Sequence, residues 1–282
     1  MSAFHQPAGS PAPPRDAATV VLLRDGAAGL ELYLIKRSRT VDFMAGAHVF
    51  PGGRLDKAAD TSPSALALLG TDVATLQERL GEGLEPRRAA GLYIAAIRET
   101  FEEAGVLLGR VAPGWSESAA RRALAEGALF MTLVERLDAQ ALVPWVRWVT
   151  PEVSPKRFDA RFFLARIPEG QEPRPDGHEA VEGLWISPRE ALARWEEGDI
   201  LLAPATAKSI DALADFVSVE QALAAAAGRA PPVAMPVVWN DESGRAYISL
   251  PGDPRHPAPD VLGGRIRRVQ LDAGRYRPVP AS

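Results

Sequence analysis

Cysteine is missing from all 282 residues, which excludes disulfide cross-links and thiolate metal sites. Histidine is scarce, and the four, at positions 5, 48, 178 and 256, are too scattered in sequence to advertise a zinc cluster. No apolar run approaches the ~20 residues needed to cross a bilayer. The opening stretch MSAFHQPAGSPAPPRD lacks the apolar core of a signal peptide, and Pro280, Ala281 and Ser282 match no peroxisomal or ER address. A cytoplasmic location with no membrane partner is therefore expected. No charge of one sign dominates: the formal net charge is -4, so no surface for polyanions is advertised and no nucleic-acid partner is expected. Repeats of solenoid period, a P-loop, H-E-x-x-H and G-x-S-x-G are all absent, and GEGLEP at Gly81 is a broken G-x-G-x-x-G with no strand before it.

The chain has the hydrophobic content of a soluble globular protein, 46%, and its length allows one large core with additions. ATVVLLRDG and LELYLIKRS predict a hairpin over Ala18 to Arg24 and Leu30 to Arg37, and a third strand ends at AHVFPGG. Pro51, Gly52 and Gly53 then form a loop whose backbone can approach a ligand closely. Short helices are expected in SPSALALLG and DVATLQERLG, and a charged helix runs from about Arg88 to Ala104, stopped by Gly105. SESAARRALAEG and ALFMTLVERLDAQ predict two more helices. Strands in LVPWVRWVT, FDARFFLARI and AVEGLWIS follow, then the helix PREALARWEEG. After Ile200 the pattern becomes an Ala-rich helical stretch and three strands, in VAMPVVW, AYISLPG and RIRRVQLDAG. This alternation predicts an α/β or α+β sheet flanked by helices.

The most informative stretch is IRETFEEAGV, Ile97 to Val106. At 3.6 residues per turn Glu99, Glu102 and Glu103 share one helix face. Each like-charge pair costs an isolated helix roughly 0.2–0.5 kcal/mol. Arg98 could compensate for them on a solvated face. Three acids beside a glycine loop could instead hold a hard divalent cation such as Mg2+ or Mn2+, which takes carboxylate and carbonyl oxygens.

RETFEEAGV resembles the second half of the Nudix box, G-x5-E-x7-R-E-U-x-E-E-x-G-U with U apolar, and FPGG resembles its beginning. Arg98, Glu99, Glu102, Glu103, Gly105 and Val106 all match, while Thr100 is only semi-apolar. The first half departs: Arg98 lies 45 positions after Gly53 instead of 14, so 31 residues are extra. The first Glu of the pattern falls on Ala59. Asp56, Asp60 or Glu85 could brace Arg98 in its place.

An interrupted box of this kind is similar to the Nudix-nineteen-like coenzyme A diphosphatases, on the strength of FMAGAHVFPGGRLD, Phe43 to Asp56, and KRFDARFFLA, Lys156 to Ala165. The resemblance spans roughly Ala18 to Phe216. It implies a Nudix α-β-α sandwich with a mixed sheet, in which a lead-in at 1–16 is disordered, residues 17–200 form the hydrolase domain with a helical insertion at 54–87, and 201–282 form an extension. The insertion is expected to pack as a flap over the substrate mouth. The resemblance also implies Mg2+- or Mn2+-dependent hydrolysis of a diphosphate in a nucleotide-type small molecule, coenzyme A or an acyl derivative ahead of ADP-sugars or dinucleotides. A non-catalytic ligand sensor is the rival, and a homodimer is left open. Metal ligands would be the Gly52 carbonyl, Glu99, Glu102, Glu103 and, from the loop DGHEA, Glu179 in preference to Glu182. Glu99 or Glu103 would handle the water, Glu179 or a bound hydroxide being alternatives, and Arg98 would brace the loop. Lys36, Arg37, His48, Gly53 and Lys156 are the candidates for touching substrate, and Trp145, Trp148 and Trp185 are assigned to the core.

Overall fold

The near-continuous apolar runs AATVVLL and LELYLI bury both faces of the first two strands, so each must be covered by a layer on either side. The computed structural model, which describes residues 12–40 and 44–281, shows those layers. Strands β1 (Arg15–Gly26) and β2 (Gly29–Arg37) form an antiparallel hairpin. β1 also runs parallel to β8 (Phe158–Arg166), which pairs antiparallel with β7 (Val143–Val149). Around them stand β3 (His48–Val49), β4 (Gly52–Arg54), β9 (Ala180–Ile186) and β10 (Val233–Ala234), making a mixed eight-stranded sheet. Ala18, Val20 and Leu22 point to one face and Val21 and Leu23 to the other, each into its own apolar core. The α/β sandwich expected from the sequence is thus present. Phe43 of the FMAGAHVF stretch and the first eleven residues of the lead-in lie outside the described residues, whereas Arg15 and Asp16 already belong to β1.

The first face is covered by α3 (Pro86–Ala104), which the Glu85 carboxylate caps by accepting from the Arg87 and Arg88 N–H groups. Gly105, at φ 70, ends it in a left-handed turn that only glycine adopts without cost. The insertion supplies α1 (Pro63–Ala67) and α2 (Val73–Leu80), as expected. Their position was not expected. Leu76 and Leu80 are buried in the α3 core, and Arg79 donates to the Ala139 and Leu142 carbonyls. The amphipathic pattern of α2 needs an apolar surface, and the core under α3 supplies it. The segment therefore buttresses the back of α3 and is not a flap.

The second face is covered by α6 (Pro188–Glu197), α7 (Pro204–Leu213) and α8 (Val219–Ala226), and by a separate four-stranded antiparallel sheet of β11 (Val237–Asn240), β12 (Ala246–Ser249), β13 (Arg268–Asp272) and β14 (Arg275–Val279). SESAARRALAEG forms α4 (Glu117–Ala125) as expected, but ALFMTLVERLDAQ departs from its predicted helix. Here only α5 (Phe130–Leu133) is helical, and Val134–Leu137 is β6, paired with β5 (Gly109–Val111). Phe130, Leu133, Val134 and Leu137 sit at helical spacing, but the available edge of β5 overrides the local periodicity.

A buried charge network ties the layers together. Arg161 in β8, only 2% exposed, donates to Asp16 of β1 and to Glu82 of the insertion, and pairs with Asp159. Arg147 bonds Asp159 through two nitrogens and Arg88 bonds Asp16 in the same way. The charges of KRFDARFF therefore serve architecture: Asp159 and Arg161 point into this network, and the intervening Phe158, Ala160 and Phe162 line the opposite side of the strand.

Candidate active site

The glycine loop and α3 meet because no side chain intervenes. A Cβ on Gly52 would lie 2.4 Å from the Ala18 carbonyl oxygen, and one on Gly53 would lie 2.3 Å from the Glu99 Cδ. The Gly52 N–H donates to Glu103 Oε2 at 2.8 Å, fixing this carboxylate against the loop. Arg98 grips the same corner. Its Nε and Nη2 donate to both oxygens of Asp60 at 3.0 Å, Nη2 donates to the Arg54 carbonyl at 3.1 Å, and Nη1 donates to Glu99 at 2.9 Å and to Glu102 at 3.3 Å. Asp60 is fully buried and its backbone is tied to Asp56. Of the three candidate braces for Arg98, Asp60 is the one in place, one residue past the position where the pattern expects glutamate.

Burial and mutual repulsion shape the carboxylates. Glu99 is pushed up to about 7, first by burial and then by Glu102, against the opposing pull of Arg98. Glu103, 5% exposed, is pushed up to about 8 by burial and by Glu99 despite the Gly52 N–H. Glu102 is raised as well, again chiefly by burial. Arg98 is raised too, for the opposite reason: burial disfavours its charge, but Asp60, Glu99 and Glu102 more than offset this.

A cleft of about 650 Å³ opens in front of the acids, and Arg37, Gly52, Gly53, Glu99, Glu102, Glu103 and Glu179 all line it. Glu179 lies on the loop before β9, its carbonyl accepting from the Ser38 N–H, and its charge adds to the upward shifts of Glu102 and Glu103. Strand alternation takes other candidates away. Lys36 pairs across the sheet with His48 and Glu182 and bonds Glu182 at 2.8 Å, on the face opposite Arg37. His48 is buried outside the cleft with Nδ1 unpartnered, and burial lowers its pKa. Lys156 is exposed on the β7–β8 loop and does not line the cleft. Trp145 is core, as expected. Trp148, also buried, turns one face to the cleft while its Nε1 donates to Ser209 Oγ.

Sequence comparison follows the same lines. A family model for the NUDT19 Nudix domain matches residues 86–213. Acyl-coenzyme A diphosphatase NUDT19 of Gallus gallus is 32% identical over 92% of this chain and 84% of its own length. The chain belongs to the NUDT19 family of Nudix hydrolases. The human protein of the same name is 31% identical over 80% of this chain and 72% of its own. A solved Nudix hydrolase from Alicyclobacillus acidocaldarius is 29% identical, with a TM-score of 0.58 over 75% of this chain and 96% of that one. As a Nudix hydrolase the protein is a diphosphohydrolase of a family that in general requires divalent metal ions.

The donor set fits such an ion in chemistry: buried oxygen ligands whose mutual repulsion a hard cation would relieve. As they stand, no three acidic or histidine side chains among the described residues converge as a ready ligand cage. Arg98 Nη1 is the present counter-charge of Glu99, through Oε1, and of Glu102, so it offsets only part of the repulsion among the acids. Stability of the metal-free protein should report this strain. A carboxylate whose folded pKa is raised binds more protons folded than unfolded, so its stabilising protonation is lost as pH rises from about 4.5 to about 8. Thermal unfolding in a chelator should fall by a few degrees across that window, and Glu103→Gln should flatten the slope. An unchanged slope would mean that Glu103 is charged throughout.

Proposed function

We propose that the protein hydrolyses the diphosphate of coenzyme A or acyl-coenzyme A, releasing 3',5'-ADP and 4'-phosphopantetheine or its acyl form. The observation that carries this is the acid cluster on α3 facing the glycine loop at the end of a cleft, in a chain related over most of its length to proteins named acyl-coenzyme A diphosphatase. Glu99, Glu102, Glu103 and Glu179, with the Gly52 carbonyl, would hold Mg2+ or Mn2+. When bound, the metal supplies charge neutralisation at the phosphate oxygens and a more acidic water. Glu99, on the cleft beside Gly53, is the group assigned to take a proton from the attacking water. Glu103 is held for its part by the Gly52 N–H, and Arg98 braces both the loop and the helix. Arg37, whose charge already acts on Glu103, is placed to meet a phosphate. The water oxygen forms the new bond to phosphorus, and the bridging P–O bond breaks.

Product analysis with coenzyme A, dephospho-coenzyme A, an ADP-sugar and a dinucleotide, each with Mg2+ or Mn2+, tests the reading. Release of 3',5'-ADP from coenzyme A is expected. Cleavage of the ADP-sugar or dinucleotide with coenzyme A left intact would overturn it. The first pair of substrates isolates the contribution of the 3'-phosphate.

A further inference from the structure

The cleft does not end at the acids. It continues over the second face of the main sheet, and the character of its walls changes. Beyond Gly53 and Thr19 the lining is mainly apolar, from β7 and β8 on one side and from the C-terminal sheet on the other, with Thr150, Ser154 and Thr206 as its hydroxyl side chains. Phe162 is fixed edge-on to Phe50, with ring centroids 6.2 Å apart at 87°. Trp148 has its only polar atom satisfied away from the cleft. The C-terminal sheet is two-faced. Val238 and Ile248 are cross-strand partners, and with Val269 and Tyr276 they share the face turned to the second core. Trp239 and Tyr247 stack on the other face at 4.6 Å, beneath Arg255. A nucleotide base needs polar partners at its edges, and this arm offers few. A flexible hydrocarbon needs none.

We propose that the arm walled by Trp148, Phe158, Phe162, Val238, Ile248 and Tyr276 receives the acyl chain of an acyl-coenzyme A substrate, so that the C-terminal sheet sets chain-length preference. This rests on the functional reading above, because the arm opens directly from the acid cluster. It assigns a task to residues 237–279, which the family model at 86–213 does not reach. Each methylene buried in such an arm can raise kcat/KM by up to about fourfold, until the arm is full.

The test is kcat/KM for coenzyme A and for its acetyl, hexanoyl, octanoyl and dodecanoyl thioesters, on the full chain and on Val238→Trp. Val238 is only partly buried, so the larger side chain fills the arm more than the core. The full chain is expected to gain at least tenfold from acetyl to octanoyl. Val238→Trp should lose most of that gain while cleaving unacylated coenzyme A within about twofold of the wild-type rate. If Val238→Trp unfolds by circular dichroism, Val238→Phe is the milder filling and carries the same expectation. A flat chain-length profile, or a loss shared equally by coenzyme A and octanoyl-coenzyme A, would overturn the assignment; the latter would place the nucleotide end in the arm. Cleavage of coenzyme A with a flat profile removes only this inference, whereas failure to cleave any of these compounds removes the functional reading beneath it.

Discussion

Glu103→Gln is expected to lower kcat on the order of 10³-fold at saturating divalent metal, equivalent to roughly 4 kcal/mol of lost transition-state stabilisation. The substitution keeps an acceptor oxygen for the Gly52 N–H and removes only the charge. Fold should survive. Because Glu103 is buried and repelled by Glu99, the variant should be slightly more heat-stable than the wild type in a chelator at pH 8. Glu102→Gln should follow the same course in activity. Glu182→Gln, which loses only an ion pair with Lys36 outside the cleft, should stay within about twofold of wild type. Near-wild-type turnover by both Glu102→Gln and Glu103→Gln at saturating metal would remove the acid cluster from the chemistry.

Asp60→Ala should be the most damaging change outside the cleft. It strips the fully buried partner from a guanidinium that is itself only 13% exposed, and an orphaned buried charge costs roughly 3–5 kcal/mol. The lower end applies here, because Arg98 keeps Glu99, Glu102 and the Arg54 carbonyl. That corresponds to a melting temperature lower by several degrees. Activity should fall too, because Arg98, freed from Asp60, would bind Glu99 and Glu102 more tightly and compete with the metal. A rise in the metal concentration needed for half-maximal rate, larger for Asp60→Ala than for Asp60→Asn, would mark this competition. If Asp60→Ala melts like wild type and responds to metal unchanged, the brace is elsewhere.

How far the sequence reaches is seen in these same residues. Helix α3 was legible because its acids and its Gly105 obey local rules of spacing and capping, although it begins at Pro86, two residues before the expected Arg88. The hairpin β1–β2 and strands β7, β8 and β9 announced themselves as short apolar runs rich in β-branched and aromatic residues. The brace on Arg98 stayed open between Asp56, Asp60 and Glu85, since three carboxylates within one insertion satisfy the same local chemistry and only the path of the chain decides among them. Strand β6 was hidden by a helical period that its partner β5 overrides. Strand β14 gave too weak a signal in RYRPV to stand alone, and becomes a strand by pairing with β13. Lys36 and Arg37 are adjacent in sequence, and only the register of β2 sends one away from the cleft and the other into it. The apolar arm is the least legible part of the site: its walls come from residues as far apart as Trp148 and Tyr276, and nothing local marks them as neighbours.

The place of β1 in the sheet governs the order in which the protein can be assembled. One edge of β1 finds its partners at once, in β2 and β4. Its other edge waits for β8, whose residue Phe158 stands opposite Arg15. On the ribosome the first strand therefore emerges with half of its backbone groups unclaimed until well over a hundred further residues have followed, and closing so long a loop is entropically slow. Arg161 arrives with β8 and adds a second, buried counter-charge to Asp16, which Arg88 of α3 already bonds, so the step that closes the second edge of β1 also ties that strand to β8 by charge.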